Sequence, residues 1–301
     1  MIGAAALGAT ALAVNVASRR AERAHPPLGR FLDVDEVRLH YLDRGAGRPV
    51  VVLHGNLMMA EEVALSGLLD RLAERYRVIA FDRPGYGYST RPRDRIWSPS
   101  AQADLIHAAL RRLGAERPVV AGHSFGTIVA VELALRHPEA VGGLALLSGY
   151  YFPTARVDVP LLSPPAVPVL GDLLRHTVSP LLARLSWPAI RRLLFGPAAA
   201  TPGFDELRGM ILRPEQIRAG ASESALMVPT VAGLQDHYGE LRLPVAILGG
   251  AEDRFVDTGR QSGELHRVVP HSWFRTVPGA GHMVHHTAPE AAAAAIEAAQ
   301  S

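Results

Sequence analysis

The stretch Val119-Val120-Ala121-Gly122-His123-Ser124-Phe125-Gly126-Thr127 constrains the fold more than any other. A short apolar run bounded by Pro118 reads as a buried strand. An apolar, helix-favouring run from Thr127 to His137 follows and stops before Pro138. Between them stands G-x-S-x-G, and a chain turning from strand to helix in so few residues strains its central residue. Glycine at 122 and 126 removes the Cβ atoms that would clash with strand and helix. The serine Oγ then stands clear of the sheet beside helix N-terminal amides, which can hold an oxyanion. The plain alternative for Ser124 is an ordinary helix N-cap. A bare G-x-S-x-G is weak evidence; its place between strand and helix makes Ser124 a candidate nucleophile.

Around this turn the apolar pattern alternates between strands and helices. Phe31 to Leu42 reads as an opening β-hairpin, and Pro49 to Leu53 as a buried strand running into His54-Gly55. A helix is expected over Val63 to Tyr76, a strand over Arg77 to Asp82 and a helix over Ser100 to Leu113. Val141 to Ser148, Leu243 to Gly249 and Trp273 to Val277 complete the strands, and a helix over Pro289 to Gln300 closes the chain. This is an α/β chain with a mostly parallel sheet covered on both faces. The run 151–242, after the sixth strand, is rich in proline and leucine and lacks strand signals. Its helices look short. An insertion there lies above the carboxyl ends of the strands, where ligands bind, and reads as a helical lid. The expected organisation is an apolar segment and linker over 1–29, a core over 30–150, the lid over 151–242 and the rest of the core over 243–301. A second independent domain is the alternative for the insertion.

Residues 2–18 contain no charged side chain. That length sits at the lower limit for crossing a bilayer, and the segment is rich in weakly apolar alanine. Arg19, Arg20 and Arg23 follow it, which is the wrong order for a secretory signal, although Ala11-Leu12-Ala13 resembles a cleavage site. A membrane anchor with the catalytic domain on the cytoplasmic side, and a bland helix of a cytoplasmic protein, both remain open; secretion is disfavoured. The net charge is only +2 and the arginines are scattered, so nucleic acid is not an expected partner. With no cysteine, disulfides, thiolate zinc sites and a cysteine nucleophile are excluded.

A serine nucleophile needs a base, itself oriented by a third group. Among thirteen histidines, His282 lies in Pro278-Gly279-Ala280-Gly281-His282, a glycine-rich loop past the last strand and at the same sheet edge as Ser124. His285 and His286 are runners-up, with supporting or solvent-facing roles. His123 should point away from Ser124, and His54 should tie down its own loop. For the acid, Asp253 in Gly250-Ala251-Glu252-Asp253 follows a strand end and is preferred over Glu252. The strand end Ser148-Gly149-Tyr150 offers no carboxylate. Ser124, Asp253 and His282 then stand in the order Ser…Asp…His.

Together with His54-Gly55-Asn56 and Asp82-Arg83-Pro84-Gly85-Tyr86-Gly87-Tyr88-Ser89, these motifs make residues 30–300 resemble an α/β-hydrolase fold protein with a lid. The resemblance implies an oxyanion hole from the backbone N–H groups of Asn56 and Phe125, and a bracing role for the Asp82 to Ser89 loop. His54-Gly55-Asn56 also resembles haloalkane dehalogenases, and epoxide hydrolases share most of the other motifs. Both use aspartate where Ser124 stands, because an alkylated aspartate is an ester that water can cleave, whereas an alkylated serine is an ether. Acyl chemistry is therefore expected, on a small, neutral, apolar carboxylic ester, with no metal and no organic cofactor. Leu57, Tyr150, Trp187, Phe195 and Met283 are the candidate pocket residues. Leu161, Leu162, Leu181, Leu194 and Met210 are further lid side chains expected to face inward or to glue the lid together. Carbon–carbon bond hydrolysis, perhydrolysis and a non-catalytic binding role are the rival readings.

Overall fold

In a computed structural model, which describes residues 2–300, eight strands form one sheet in the order β1-β2-β4-β3-β5-β6-β7-β8. A helix α1 (Ile2–Ala24) precedes the hairpin β1 (Arg30–Val34) and β2 (Val37–Arg44). Then come β3 (Pro49–Leu53), α2 (Ala60–Leu65), α3 (Leu68–Ala73), β4 (Arg77–Phe81), α4 (Pro99–Arg112), β5 (Val119–His123), α5 (Phe125–Arg136) and β6 (Gly143–Leu147). After the insertion follow β7 (Val245–Gly250), with α11 (Glu264–Val268), β8 (Trp273–Val277), α12 (Val284–Thr287) and α13 (Pro289–Ala298), where the insertion itself holds α6 to α10. Pairs β1–β2 and β2–β4 are antiparallel, and every other pair is parallel.

The central strands read as unbroken apolar runs because both of their faces are covered. Val51, Leu53, Val120, Leu144, Leu146 and Ile247 enter one buried cluster with α4 and α5. Val50, Val52, Val119, Ala121, Ala145 and Leu248 enter the other, with α3 and α13. Strand order reverses at β3 and β5, since β4 lies on one side of β3 and β5 on the other. The crevice outside the carboxyl ends of these two strands is where open α/β sheets bind ligands, and it is where the serine turn lies.

Two helical expectations change. The helix expected over Val63 to Tyr76 is two, α2 and α3, parted at Gly67, whose φ of 78° no β-branched or bulky residue would tolerate well. The insertion is helical, with α6 (Asp158–Leu162), α7 (Leu170–His176), α8 (Val178–Phe195), α9 (Arg208–Ile211) and α10 (Pro214–Leu234), but two of these are long. Prolines 188 and 229 lie inside α8 and α10 without ending them. Apolar packing on one side of each helix outweighs the roughly 3 kcal/mol that an internal proline costs.

Among the described residues no helix is long and apolar enough to cross a membrane, which overturns the reading of residues 2–18 as a spanning anchor. Alanine occupies seven of those seventeen positions, and Thr10, Asn15 and Ser18 interrupt the run. The helix instead continues to Ala24 and is fastened to the rest of the chain. Arg213 donates to the Glu22 carboxylate at 2.8 Å, His25 Nδ1 lies 2.9 Å from Glu61, and the Tyr88 hydroxyl donates to the His25 carbonyl. Ala21 is buried against Gly209 of α9.

Candidate active site

Ser124 sits between β5 and α5 with φ 51° and ψ −120°, a conformation that costs a non-glycine residue about 1–3 kcal/mol. Its flanking glycines are sterically required. A Cβ on Gly122 would come within 2.5 Å of the Gly126 carbonyl oxygen, and one on Gly126 within 2.2 Å of the Leu53 oxygen. The strain is held by hydrogen bonds on both sides: the Ser124 N–H donates to Leu147 O at 2.9 Å, and its own carbonyl accepts from the Thr127 hydroxyl at 2.6 Å. Ser124 occupies the N-cap position of α5, but its side chain accepts nothing from the helix, so it does no capping.

The hydroxyl faces the histidine. Ser124 Oγ lies 2.9 Å from His282 Nε2, and His282 Nδ1 lies 2.8 Å from Asp253 Oδ2. Asp253 Oδ1 accepts the backbone N–H groups of Phe255 and Val256 at 2.8 and 2.9 Å. The acid is thereby pinned, with a fully buried side chain, while neighbouring Glu252 is exposed. The three side chains come from the carboxyl-end loops of β5, β7 and β8. Each is close enough for a proton to pass from Oγ to imidazole, with the carboxylate fixing the tautomer.

The loop after β3 closes the serine side. A Cβ on Gly55 would lie 3.1 Å from Ser124 Cβ and 2.9 Å from His123 Nδ1, so only glycine lets this backbone approach the turn. Asn56 follows, and Leu57 is held at φ 62°. The Asn56 side chain does not reach into the site. Its Nδ2 donates to Gly220 O and Ser224 Oγ of α10, both at 3.1 Å, and its Oδ1 accepts from the Tyr86 hydroxyl at 2.9 Å. Beneath this loop the fully buried Arg83 donates to the His54 and Gly55 carbonyls at 2.9 and 3.1 Å and to Gln102 at 2.9 Å. It forks onto Glu223 of α10, at 3.0 Å for one arm. Burial alone would raise the Glu223 carboxyl, but Arg83 holds it below its ordinary value. His54 ties its loop as expected: Arg83 N–H donates to its Nε2, its Nδ1 meets Gly55 O, and burial followed by Arg83 lowers its pKa to about 4. Asp82 braces the same loop by accepting Ala60 N–H at 2.7 Å, along with His40 and Tyr88.

Behind the histidine lies a second buried ionic group. His286 Nε2 lies 2.7 Å from Glu62 Oε1, and His285 Nε2 meets the same oxygen. Burial alone would raise the Glu62 carboxyl, but His285 and then His286 hold it well below the usual range. These histidines are buried, so the solvent-facing reading of them does not hold. His123 points away from Ser124 and bonds the His282 carbonyl through Nε2 at 3.1 Å; burial keeps it neutral. Glu62, His285 and His286 are of metal-ligating type. Here Glu62 Oε1 is hydrogen-bonded directly to both imidazoles, closer than the about 3.3 Å that separates two ligands of a tetrahedral cation.

Leu57, Trp187, Phe195 and Met283 enter one apolar cluster with Met58, Met59 and Phe204. Tyr150 lies in another, its hydroxyl 3.1 Å from Thr154. Leu194 and Met210 are buried in the first cluster, but Leu161, Leu162 and Leu181 are exposed, which corrects the expectation that they face inward. Leu161 is 77% exposed on the short α6, while Leu181 on α8 borders a groove beside α1. Three residues near the site carried no sequence signal: Phe255, whose ring centroid is 4.9 Å from that of His282, Glu62 and Glu223. Only Phe255, two residues past Asp253, could have been found by position.

The model of the α/β-hydrolase fold family matches residues 48–289. The chain is 27% identical over 266 residues to 2-hydroxymuconate semialdehyde hydrolase of Pseudomonas putida, covering 85% of this chain and 88% of that protein. It is 25% identical over 280 residues to haloalkane dehalogenase 2 of Mycobacterium tuberculosis, covering 90% and 94%. Its fold is similar to that of an α/β-hydrolase fold protein from Burkholderia ambifaria, with a TM-score of 0.76 at 23% identity over 89% of this chain and 97% of the other. Family model, sheet order and serine turn agree, and the chain belongs to the α/β-hydrolase fold family of hydrolases.

Proposed function

We propose that this chain is a serine hydrolase that cleaves a neutral, apolar carboxylic ester through an acyl-enzyme. The observation carrying this reading is the hydrogen-bonded series Ser124–His282–Asp253. Ser124 Oγ attacks the ester carbonyl as His282 Nε2 takes its proton, and the imidazolium then protonates the departing alcohol. Asp253 stabilises that imidazolium. The backbone N–H groups of Asn56 and Phe125 flank the serine and hold the oxyanion. Water, deprotonated by His282, then attacks the acyl carbonyl and frees Ser124. No step calls for a metal or an organic cofactor. The apolar cluster that includes Leu57, Trp187, Phe195 and Met283 supports a neutral substrate, since a charge set against it would lose its hydration.

Carbon–carbon bond hydrolysis on the same three residues is the second reading, favoured by the similarity to the semialdehyde hydrolase. Dehalogenation is not, because alkylation of Ser124 would leave an ether. A fluorophosphonate probe is expected to label Ser124 covalently. A panel of chromogenic esters of rising acyl length, run beside a vinylogous diketone, separates the two readings. Faster turnover of the diketone would displace the ester reading, and failure to label would remove both.

A further inference from the structure

The large apolar side chains left open to solvent are gathered on one region. On α8 they include Leu181, Leu182 and Leu185, the last 79% exposed; on the preceding turns Leu161 is 77% exposed and Val169 81%. Helix α1 adds Leu7, Leu12 and Val16. The two helices are neighbours: Ala13, Val14 and Ala17 of α1 line a groove with Pro180, Leu181 and Arg184 of α8. Elsewhere among the described residues the large exposed apolar side chains are Leu28 and Ile96. Exposed apolar side chains gathered on helices that neighbour one another mark an interaction site.

Charge indicates what covers it. The exposed arginines of α1 and α8 that face no carboxylate among the described residues are Arg19, Arg20, Arg23, Arg184 and Arg192, whereas Arg191 is paired with Asp205 and Glu22 with Arg213. This basic surface stands on a chain whose net charge is only +2. Arg20, Arg184 and Arg192 are exposed among the leucines. A second copy docking through this face would set two basic, apolar surfaces together and gain repulsion. A bilayer containing anionic lipid takes up the leucines and pairs with the arginines at once.

We propose that the face formed by α1 and α6 to α8 lies on the surface of an anionic membrane, without crossing it. This stands on the outer face of the molecule and does not depend on the hydrolase reading. The underside of α8 carries Trp187, Leu194 and Phe195, and the Leu194 carbonyl accepts the Met283 N–H at 3.0 Å, next to His282. One helix therefore separates the lipid surface from the catalytic loop.

The test is flotation of the full chain with vesicles of phosphatidylcholine alone or mixed with phosphatidylglycerol. Binding is expected to the anionic vesicles, weaker at about 1 M salt than at about 0.1 M. The double variant Leu182→Ser/Leu185→Ser is expected to reduce partitioning about tenfold or more, while turnover of a water-soluble short ester stays unchanged. Ser124→Ala should bind vesicles as the parent does, which separates this proposal from the catalytic one. Failure to float, or partitioning insensitive to the two leucines, would overturn it. So would a leucine-dependent dimer in solution that excludes vesicle binding.

Discussion

The serine half and the histidine half of the site are each backed by a buried ionic group, and the two groups are built differently. On the serine half, Arg83 and Glu223 spend their polar atoms on each other, on Gln102, on Tyr86 and on the carbonyls of the 54–55 loop. On the histidine half, one oxygen of Glu62 receives both His285 and His286, while Glu62 Oε2, His285 Nδ1 and His123 Nδ1 find no partner among the described residues. The closed network fixes a backbone, since its donors end on loop carbonyls. The open one supports rings; His123 Nε2 bonds the His282 carbonyl, and the His286 N–H donates to the Met283 carbonyl at 3.0 Å. Precise placement of the 54–57 loop therefore depends on α10 of the insertion, whereas His282 is placed mainly by Asp253.

The sharpest test of the two halves as one machine is chemical. Ser124→Ala and His282→Ala are each expected to lower kcat by roughly 10⁴- to 10⁶-fold, and the double variant no further. Additive losses in steady-state ester hydrolysis would show that the halves act independently. Asp253→Asn should cost about 10⁴-fold, with Glu252→Gln close to the parent.

Next in size, Glu223→Gln leaves the buried Arg83 uncompensated and should destabilise the fold by about 3–5 kcal/mol. Replacing both Arg83 and Glu223 by methionine should cost less stability than the single change, yet still lower kcat, because the loop carbonyls lose their donor. Denaturant melts and kcat, measured on the same variants, separate the two effects. If the double variant kept full kcat, the network would be a core element without a positioning role.

The pH dependence of stability tests the neutral histidines. The folded pKa of His54 is about 4, below its ordinary 6.5, so its contribution is complete above pH 6.5. As pH falls from 6.5 toward 4 the unfolded chain gains a proton that the folded chain refuses, and about 3 kcal/mol is lost. His123, lowered well below its usual value, adds to the loss in the same direction. Melting temperatures taken across this window should fall steadily; a flat profile would mean that these rings are charged in the fold.

The smallest effect is expected at Glu62→Gln. One carboxylate oxygen is already without a partner, so the loss should be about 1–2 kcal/mol, with kcat within a fewfold of the parent. A loss of kcat matching that of the Arg83 variants would erase the contrast between the two halves.

Much of this was legible in the residues, for local reasons. The serine turn, the strands and the order Ser124, Asp253, His282 each declare themselves within a few positions, because steric demands at a turn and burial of a strand act locally. Glu223 and Glu62 did not, since each is one carboxylate in a helix and gains its meaning from a partner 140 or 223 residues away. The length of α8 was hidden by Pro188, a breaker on local grounds that tertiary packing overrides. The outward leucines misled for the opposite reason: apolarity predicts burial, and a surface that keeps Leu161 and Leu181 in solvent defies the rule.

The bond from Met283 N–H to the Leu194 carbonyl has a mechanical consequence. A Cβ on Gly281 would fall within 2.4 Å of the Gly196 oxygen, so the end of α8 rests directly on the backbone that carries His282. The insertion cannot lift away as a free flap from that end without dragging the imidazole off the serine. The backbone around Gly196 is thus the point at which any strain in α8 would be passed to the 281–283 segment, and through it to the imidazole of His282.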